Sequence, residues 1–520
     1  MDHVNDRSPL LASQAEDEDC AKSLASAEAA SIRLGDYAGH PPIRDRLVSL
    51  AMIFVLVLVC GMFLLTFIYP ELFSGGKPLC STVDGGYHCF PSTARFWGQY
   101  SPFFSLSSLS EISPEIPVGC TITFAQILSR HGARQPTATK SDIYQELITR
   151  IQSTTESYHG NYTFLHHFTY DLGADELTPF GEAQLVNSGA KFYRRYQSLS
   201  QRAYPFTRAA GSSRVIASAE LFMDGFQQVK TDDPYATNKD PPPKSVAVII
   251  PEGASFNNTL DHSQCDKFES SKPAQPIELE FTNIFAPAIL ERVKSHLIGA
   301  NITIDDIPYL MDMCPFHTVA LTADASTLSP FCTLFTDTEW KAYDYLRSLG
   351  KYYAYGAGHP LGASQGIGFV NELISRLTNT PVQDTTSVNH TLDSDPTTFP
   401  LDLSLYADFS HDNTMLSIYT ALGLYNGTHA LNTTTIESAE ETDGFSSSWI
   451  IPFGAMAYIE KMECDSTPVA NEPLVRVLVN DRVVPLHGCA VDSLGRCKLD
   501  DFLKGLSFAR DGGDWESCFT

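Results

Sequence analysis

An α/β fold is predicted by three observations. The apolar run at residues 121–128 reads as a strand and breaks into the turn Arg130-His131-Gly132-Ala133-Arg134-Gln135-Pro136. A second strand candidate, residues 403–409, ends at Ser410-His411-Asp412-Asn413 and gives way to a helical run at 414–424. Between them, apolar residues recur at helical spacing in several segments. Both histidine motifs therefore sit where a strand hands over toward a helix. In open α/β sheets that carboxyl edge is where ligands bind, and helix N-termini there offer N–H groups to anions.

Taken in order, residues 1–46 are rich in Ser, Ala and acids and lack sustained apolar periodicity, which predicts a disordered cytosolic tail. Its cluster Glu16-Asp17-Glu18-Asp19 reads as solvated, and Asp6-Arg7-Ser8-Pro9-Leu10-Leu11 resembles an acidic dileucine sorting signal. Residues 47–69 carry no charge and are long enough to span a bilayer as a helix. Arg44 and Arg46 precede this run, so the positive-inside bias puts the tail in the cytosol and the C-terminal bulk on the luminal or extracellular side. The run is longer than a signal-peptide core and lacks a small-residue exit, so it reads as an uncleaved signal anchor. This is a single-pass type II topology, at a vacuole or the cell surface, or with the bulk freed by proteolysis.

Beyond the anchor, a helix is expected from about 141 to 152. Thr178 and Pro179 supply an N-cap and a first-turn proline for a helix carrying Leu185, Phe192, Tyr193 and Tyr196. Residues 231–244 read as a loop before a strand at 245–250, with helical patterns at 284–297 and 340–353. The polar, proline-punctuated stretch 380–400 reads as a long surface loop. There is no internal repeat.

The 520 residues carry a net charge of −26. That argues against nucleic acid, whose phosphates are held by lysine and arginine. It leaves room for an anionic substrate in a local arginine pocket, and carboxylates that protonate in acid would weaken the opposing field. Cys20 and Cys60 lie in the tail and the apolar run. The remaining Cys80, Cys89, Cys120, Cys265, Cys314, Cys332, Cys464, Cys489, Cys497 and Cys518 form an even set on the translocated side, which suggests disulfides. No Cys-x-x-Cys pair points to zinc. Sequons at Asn161, Asn257, Asn301, Asn389, Asn426 and Asn432 predict N-glycans.

The chemistry begins at His131. Flanking arginines disfavour its protonation and would repel a metal, but they welcome a dianion. Arg130 and Arg134 offer fork-shaped donors to the oxygens of a phosphoryl group, His131 can attack in line, and Gly132 permits close approach. Asp412 supplies what this motif lacks, a proton donor for the leaving oxygen, if bound phosphate raises its pKa. His411 would be a further phosphate ligand. A metal site at the His-Asp pair is the rival, but no second carboxylate set or His-Glu-x-x-His accompanies it. Gly362-Ala363-Ser364-Gln365-Gly366 matches a serine-hydrolase elbow without the strand that the elbow requires. No phosphate-binding nucleotide loop occurs, and no cofactor is implied.

These residues resemble those of the histidine acid phosphatases, and most closely the fungal phytases of that family. The likeness is carried by Arg130 to Pro136, by Gly211-Ser212-Ser213-Arg214-Val215-Ile216-Ala217-Ser218 and by Ser410 to Asn413. It extends through residues 172–182, 309–314 and 477–489, and so covers about 80–520. The resemblance implies a phosphohistidine at His131, phosphate ligands Arg130, Arg134, Arg214 and His411, and proton donation by Asp412. Matching the family's Gly-Ser-Ser-Arg string selects Arg214 over Arg208. It also implies the disulfides Cys80–Cys89, Cys120–Cys464, Cys265–Cys518, Cys314–Cys332 and Cys489–Cys497. The implied fold is a large α/β domain with a central, mostly parallel sheet, plus a smaller helical domain drawn from parts of about 140–330.

Lys140 and Lys351 match basic pocket positions of the fungal enzymes, and Glu278 and Asp312 match acidic ones. Where those relatives often show a lysine pair, this chain has Gly350-Lys351. The expected activity is a metal-independent acid phosphomonoesterase acting on myo-inositol hexakisphosphate. Two alternatives are a broad acid phosphatase and an inactive glycoprotein that binds phosphorylated ligands.

Overall fold

The computed structural model describes residues 79–465 and 472–520. The predicted tail (1–46) and anchor (47–69) lie outside the described residues. Among the described residues no helix is long and apolar enough to cross a membrane.

A sheet of eight strands organises the described chain. We number its strands β1 (Cys120–Arg130), β2 (Phe206–Ala210), β3 (Val248–Ile250), β4 (Leu405–Ser410), β5 (Met456–Cys464), β6 (Leu474–Val479), β7 (Arg482–Val484) and β8 (Cys497–Lys498). The order is β7-β6-β5-β1-β4-β2-β3, with β8 also on β6. β1 and β4 are buried along most of their length, as expected of strands covered on both faces.

The expectation of a mostly parallel sheet is corrected: the sheet is mixed. β1, β4, β2 and β3 pair in parallel, whereas β5 runs antiparallel to β1, β6 to β5, and β7 and β8 to β6. Connection length accounts for two of these pairings, β2 with β3 and β6 with β7. Parallel neighbours need a crossover, and the helix between β2 and β3 provides one; strands joined by short turns must run antiparallel. Asn480 and Asp481, both at positive φ (49° and 68°), form the two-residue turn between β6 and β7.

Eight helices matter for the site: α1 (Ala138–Thr154), α2 (Pro179–Arg195), α3 (Ser213–Asp232), α4 (Ala274–His296), α5 (Asp306–Leu321), α6 (Asp337–Tyr355), α7 (Ile367–Thr378) and α8 (Asp412–Ala421). Thr178 caps α2 by accepting from the Gly181 N–H at 3.1 Å, and Thr336 and Glu339 form a capping box on α6. One apolar cluster joins the sheet to α2, α3, α7 and α8. A second joins α1, α4 and α5. α6 contributes to both, Leu346 and Leu349 to the first and Trp340 and Tyr343 to the second.

The stretch 380–400 is not wholly a surface loop, because Val388 and Phe399 are buried and residues His390–Asp393 make a helical turn. The five disulfides join the pairs that the resemblance implied. The sequon asparagines are exposed except Asn389, which caps the turn after it.

Candidate active site

Parallel pairing of β1 with β4 sets Arg130 beside Ser410, and thereby brings the two histidine motifs together across the centre of the sheet. Gly132 and Gly181 allow the turn after β1 to lie against the first turn of α2. A Cβ on Gly132 would stand 2.3 Å from the Gly181 carbonyl oxygen, and one on Gly181 would stand 1.9 Å from that of Ala133. His411 is the N-cap residue of α8 and Asp412 opens it. Ser212 occupies the N-cap position of α3, placing Arg214 in its first turn. The site thus combines the carboxyl edge of the parallel half-sheet with two helix N-termini.

His131 is buried, and its Nδ1 lies 2.9 Å from the Gly132 carbonyl oxygen. A carbonyl only accepts, so Nδ1 carries the proton and Nε2 keeps its lone pair. Burial first, and then the charges of Arg130, Arg134, His411 and Arg214, hold this imidazole well below its ordinary range. A neutral histidine surrounded by cations is a nucleophile awaiting an anion.

Arg130 is fully buried. Its Nη1 donates to the carbonyls of Gln99 and Ile451 (the latter at 2.8 Å), and its guanidinium lies 4.5 Å from the centre of the Phe453 ring. Burial lowers its pKa to about 10, so it stays charged. Nε and Nη2 of Arg130, Nε of Arg134 and Nε of Arg214 are buried without a hydrogen-bond partner among the described residues. Buried donors are ordinarily satisfied, and four orphans on three converging guanidiniums describe an anion receptor. Arg208, by contrast, donates within the core to Asp408 at 2.7 Å and Glu372 at 2.5 Å, which excludes it from the clamp.

Asp412 lies 3.4 Å from Arg130 Nη2, and Lys351 Nζ donates to its Oδ2 at 2.6 Å. Burial would raise this carboxyl, but Arg130 and Lys351 outweigh it and hold the group well below the usual carboxylate range. Without an anion, Asp412 is therefore ionised. Lys351 also donates to Asn413 Oδ1 at 2.5 Å, and burial lowers its pKa.

A cleft of about 260 Å³ opens beside Lys351, lined also by Gln99, Lys272, Glu278, Arg347 and Gly350. Glu278 reaches over Gly350, where a Cβ would meet its Oε1 at 2.4 Å. Burial raises the Glu278 pKa against the pull of Arg347, Lys140 and Lys351. Asp312 does not line this cleft. It is fully buried and accepts from Tyr144 at 2.7 Å, from Tyr343 and from Arg347, with Lys140 Nζ at 3.7 Å. Lys140 in turn sits 4.3 Å from the centre of the Tyr309 ring. Ser364, of the rejected elbow, is buried in a 3-10 turn.

Sequence reasoning missed Glu252. Its Oε1 lies 2.9 Å from His411 Nε2, and it accepts from both the N–H (2.9 Å) and the hydroxyl (2.7 Å) of Ser212. A lone acid in a loop after a short strand gives no signal of such a role.

Residues 121–480 match the sequence profile of the Histidine phosphatase superfamily (branch 2). The chain belongs to that superfamily. This histidine phosphatase is 59% identical to Phytase A of Aspergillus fumigatus over 447 residues, covering 86% of this chain and 95% of that one. It is 58% identical to Phytase A of Emericella nidulans, covering 85% and 94%. Among solved structures its fold resembles the phytase from D. castellii, with a TM-score of 0.66 at 23% identity over 82% of this chain and 87% of that chain. It also resembles a Bifidobacterium longum multiple inositol polyphosphate phosphatase in complex with phosphate, with a TM-score of 0.57 at 14% identity over 81% and 100%. This histidine phosphatase is a phosphoric monoester hydrolase.

Proposed function

We propose that the protein is an acid phytase, releasing phosphate from myo-inositol hexakisphosphate through a phosphohistidine and without a metal ion. The observation that carries the mechanism is a neutral His131, its Nδ1 committed to Gly132, amid three guanidiniums with orphaned buried donors. Relatives named Phytase A, more than half identical over nearly their whole length, support the substrate.

The scissile phosphate sits among Arg130, Arg134, Arg214 and His411. His131 Nε2 attacks phosphorus as the bond to the leaving oxygen breaks, and Asp412 gives that oxygen its proton. A dianion on Arg130 competes for the charge that depresses Asp412 and adds a negative neighbour, so binding itself raises the carboxyl toward a donor's range. Water then attacks the phosphohistidine, Asp412 takes its proton, and phosphate leaves with His131 restored.

Brief reaction with labelled substrate at pH 4, followed by alkaline quench, should trap label on His131. Label on another residue, or none during active turnover, sinks the mechanism. A broad acid phosphatase is the second reading, favoured by Gly350 in place of a lysine and by Glu278 over it. The ratio of kcat/KM for phytate to that for an aryl phosphate separates the two.

Residues 47–69 serve as a type II anchor in this reading, supported by their uncharged length and by Arg44 and Arg46 before them. Activity that remains in the pellet after alkaline carbonate extraction is the expected result; full release counts against the anchor. The exposed sequons suit N-glycans on the same side.

A further inference from the structure

Glu252 joins two elements of the proposed phosphate site that lie far apart in sequence. It receives both donors of Ser212, the cap of the helix that carries Arg214, and it contacts Nε2 of His411, the cap of the helix that carries Asp412. We propose that Glu252 is a positioning residue that keeps His411 in its cationic form and so ties phosphate affinity to the protonation of that ring.

A carboxylate can only accept, so His411 Nε2 carries a proton directed at Glu252. No hydrogen bond engages His411 Nδ1 among the described residues. The His131 and His411 rings meet edge to face with centres 5.6 Å apart. If His411 is to donate to a phosphate oxygen with its remaining nitrogen, both nitrogens must be protonated and the ring is an imidazolium. Its surroundings oppose that charge: Arg130, Arg134 and Arg214 face the same space from β1, the turn after it and α3. On its own helix Asp412 is already shared by Arg130 and Lys351. In the loop after β3, Asp261 accepts from Gly253 N–H and Ser263. Glu252 is thus the carboxylate in hydrogen-bond contact with the ring; burial opposes its charge, but its contacts with His411 and Ser212 outweigh burial and lower its pKa to about 2.

The sign follows. Removing the negative charge takes away the acceptor that favours the imidazolium among three guanidiniums, so phosphate binding fails earlier as pH rises. This rests on the phosphatase reading, and the parent enzyme on an aryl phosphate is the control that tests that reading separately.

Glu252→Gln preserves shape and removes charge. The expected result is an alkaline limb of kcat/KM displaced downward by about one pH unit, with KM near pH 6 up about tenfold and kcat near pH 4 within about threefold. Glu252→Asp should recover part of the displacement. In a His411→Asn background, Glu252→Gln should leave the limb where it is, since the titrating ring is gone. A folded, active Glu252→Gln enzyme with the parent's alkaline limb overturns the proposal. So does an equal fall in kcat at every pH, the mark of a merely structural role. If Glu252→Gln fails to fold, the pKa of His411 followed by NMR in the parent and in Glu252→Asp decides: an unchanged value overturns the proposal, and a lower one in Glu252→Asp supports it.

Discussion

The arginine clamp and the cleft beside it are built from similar side chains on opposite terms. In the clamp, Arg130, Arg134 and a neutral histidine are buried and Arg214 is partly buried, each arginine keeps a buried Nε without a hydrogen-bond partner among the described residues, and Asp412 is shared between Arg130 and Lys351. In the cleft, Lys351 and Arg347 stand near Glu278, while Arg347 is committed to the buried Asp312. The first is an excess of positive charge with donors left for an anion; the second is mixed charge, in which Glu278 and Asp312 offset Lys351 and Arg347. The difference separates two jobs. In the proposed mechanism the clamp dictates the reaction, and the cleft grades the substrate.

The comparison can be broken most forcefully at His131. His131→Ala should reduce kcat on every phosphomonoester by about 10⁴-fold or more while leaving the melting temperature near the parent's. Retained turnover on a simple aryl phosphate would falsify the clamp's role. Asp412→Asn should be selective for the leaving group, costing about a hundredfold or more on an alkyl phosphate and about tenfold on a nitrophenyl ester, whose oxygen needs less help. Equal losses on both would remove Asp412 from proton transfer. Arg214→Lys keeps the charge and loses the fork, so KM for inorganic phosphate mimics and substrates alike should rise about tenfold or more.

The smallest effect belongs to the cleft. Gly350→Lys adds a cation where the Cβ meets only the flexible end of Glu278, at 2.4 Å. It should lower KM for phytate by a few-fold and leave an aryl phosphate unchanged. A matching change on both substrates would mean that the cleft does more than grade.

The same contrast governs what could be read from the sequence. His131, Arg130 and Arg134 share one turn, and His411 and Asp412 another, so local strings after apolar runs disclosed them. Arg214 needed its Gly-Ser-Ser context, because Arg208 is an equally plausible arginine until the buried Asp408 and Glu372 claim it. Glu252 was illegible, since its partners lie 40 and 159 residues away. The helices announced themselves by caps such as Thr178, whereas β6 is buried along its whole length and β7 is only three residues long, so neither shows alternation. The Asn480-Asp481 turn was the available signal for their hairpin, and with it for the antiparallel half of the sheet. Asp312 shows the limit of analogy: its type suits a pocket, yet three side chains bury it beneath one.

Pairing Arg130 with Ser410 has a consequence for the living synthesis of this chain. β1 emerges from the ribosome hundreds of residues before β4 and β5, so its apolar edges wait without their sheet partners and Cys120 waits for Cys464. Such long-range pairing is slow and exposes sticky intermediates to aggregation. His131, the proposed nucleophile, can meet Asp412, its proposed proton donor, only when the centre of the sheet has closed. Enzymatic activity is therefore a late reporter of maturation, and a folding defect in either half of the chain would first be read as lost turnover.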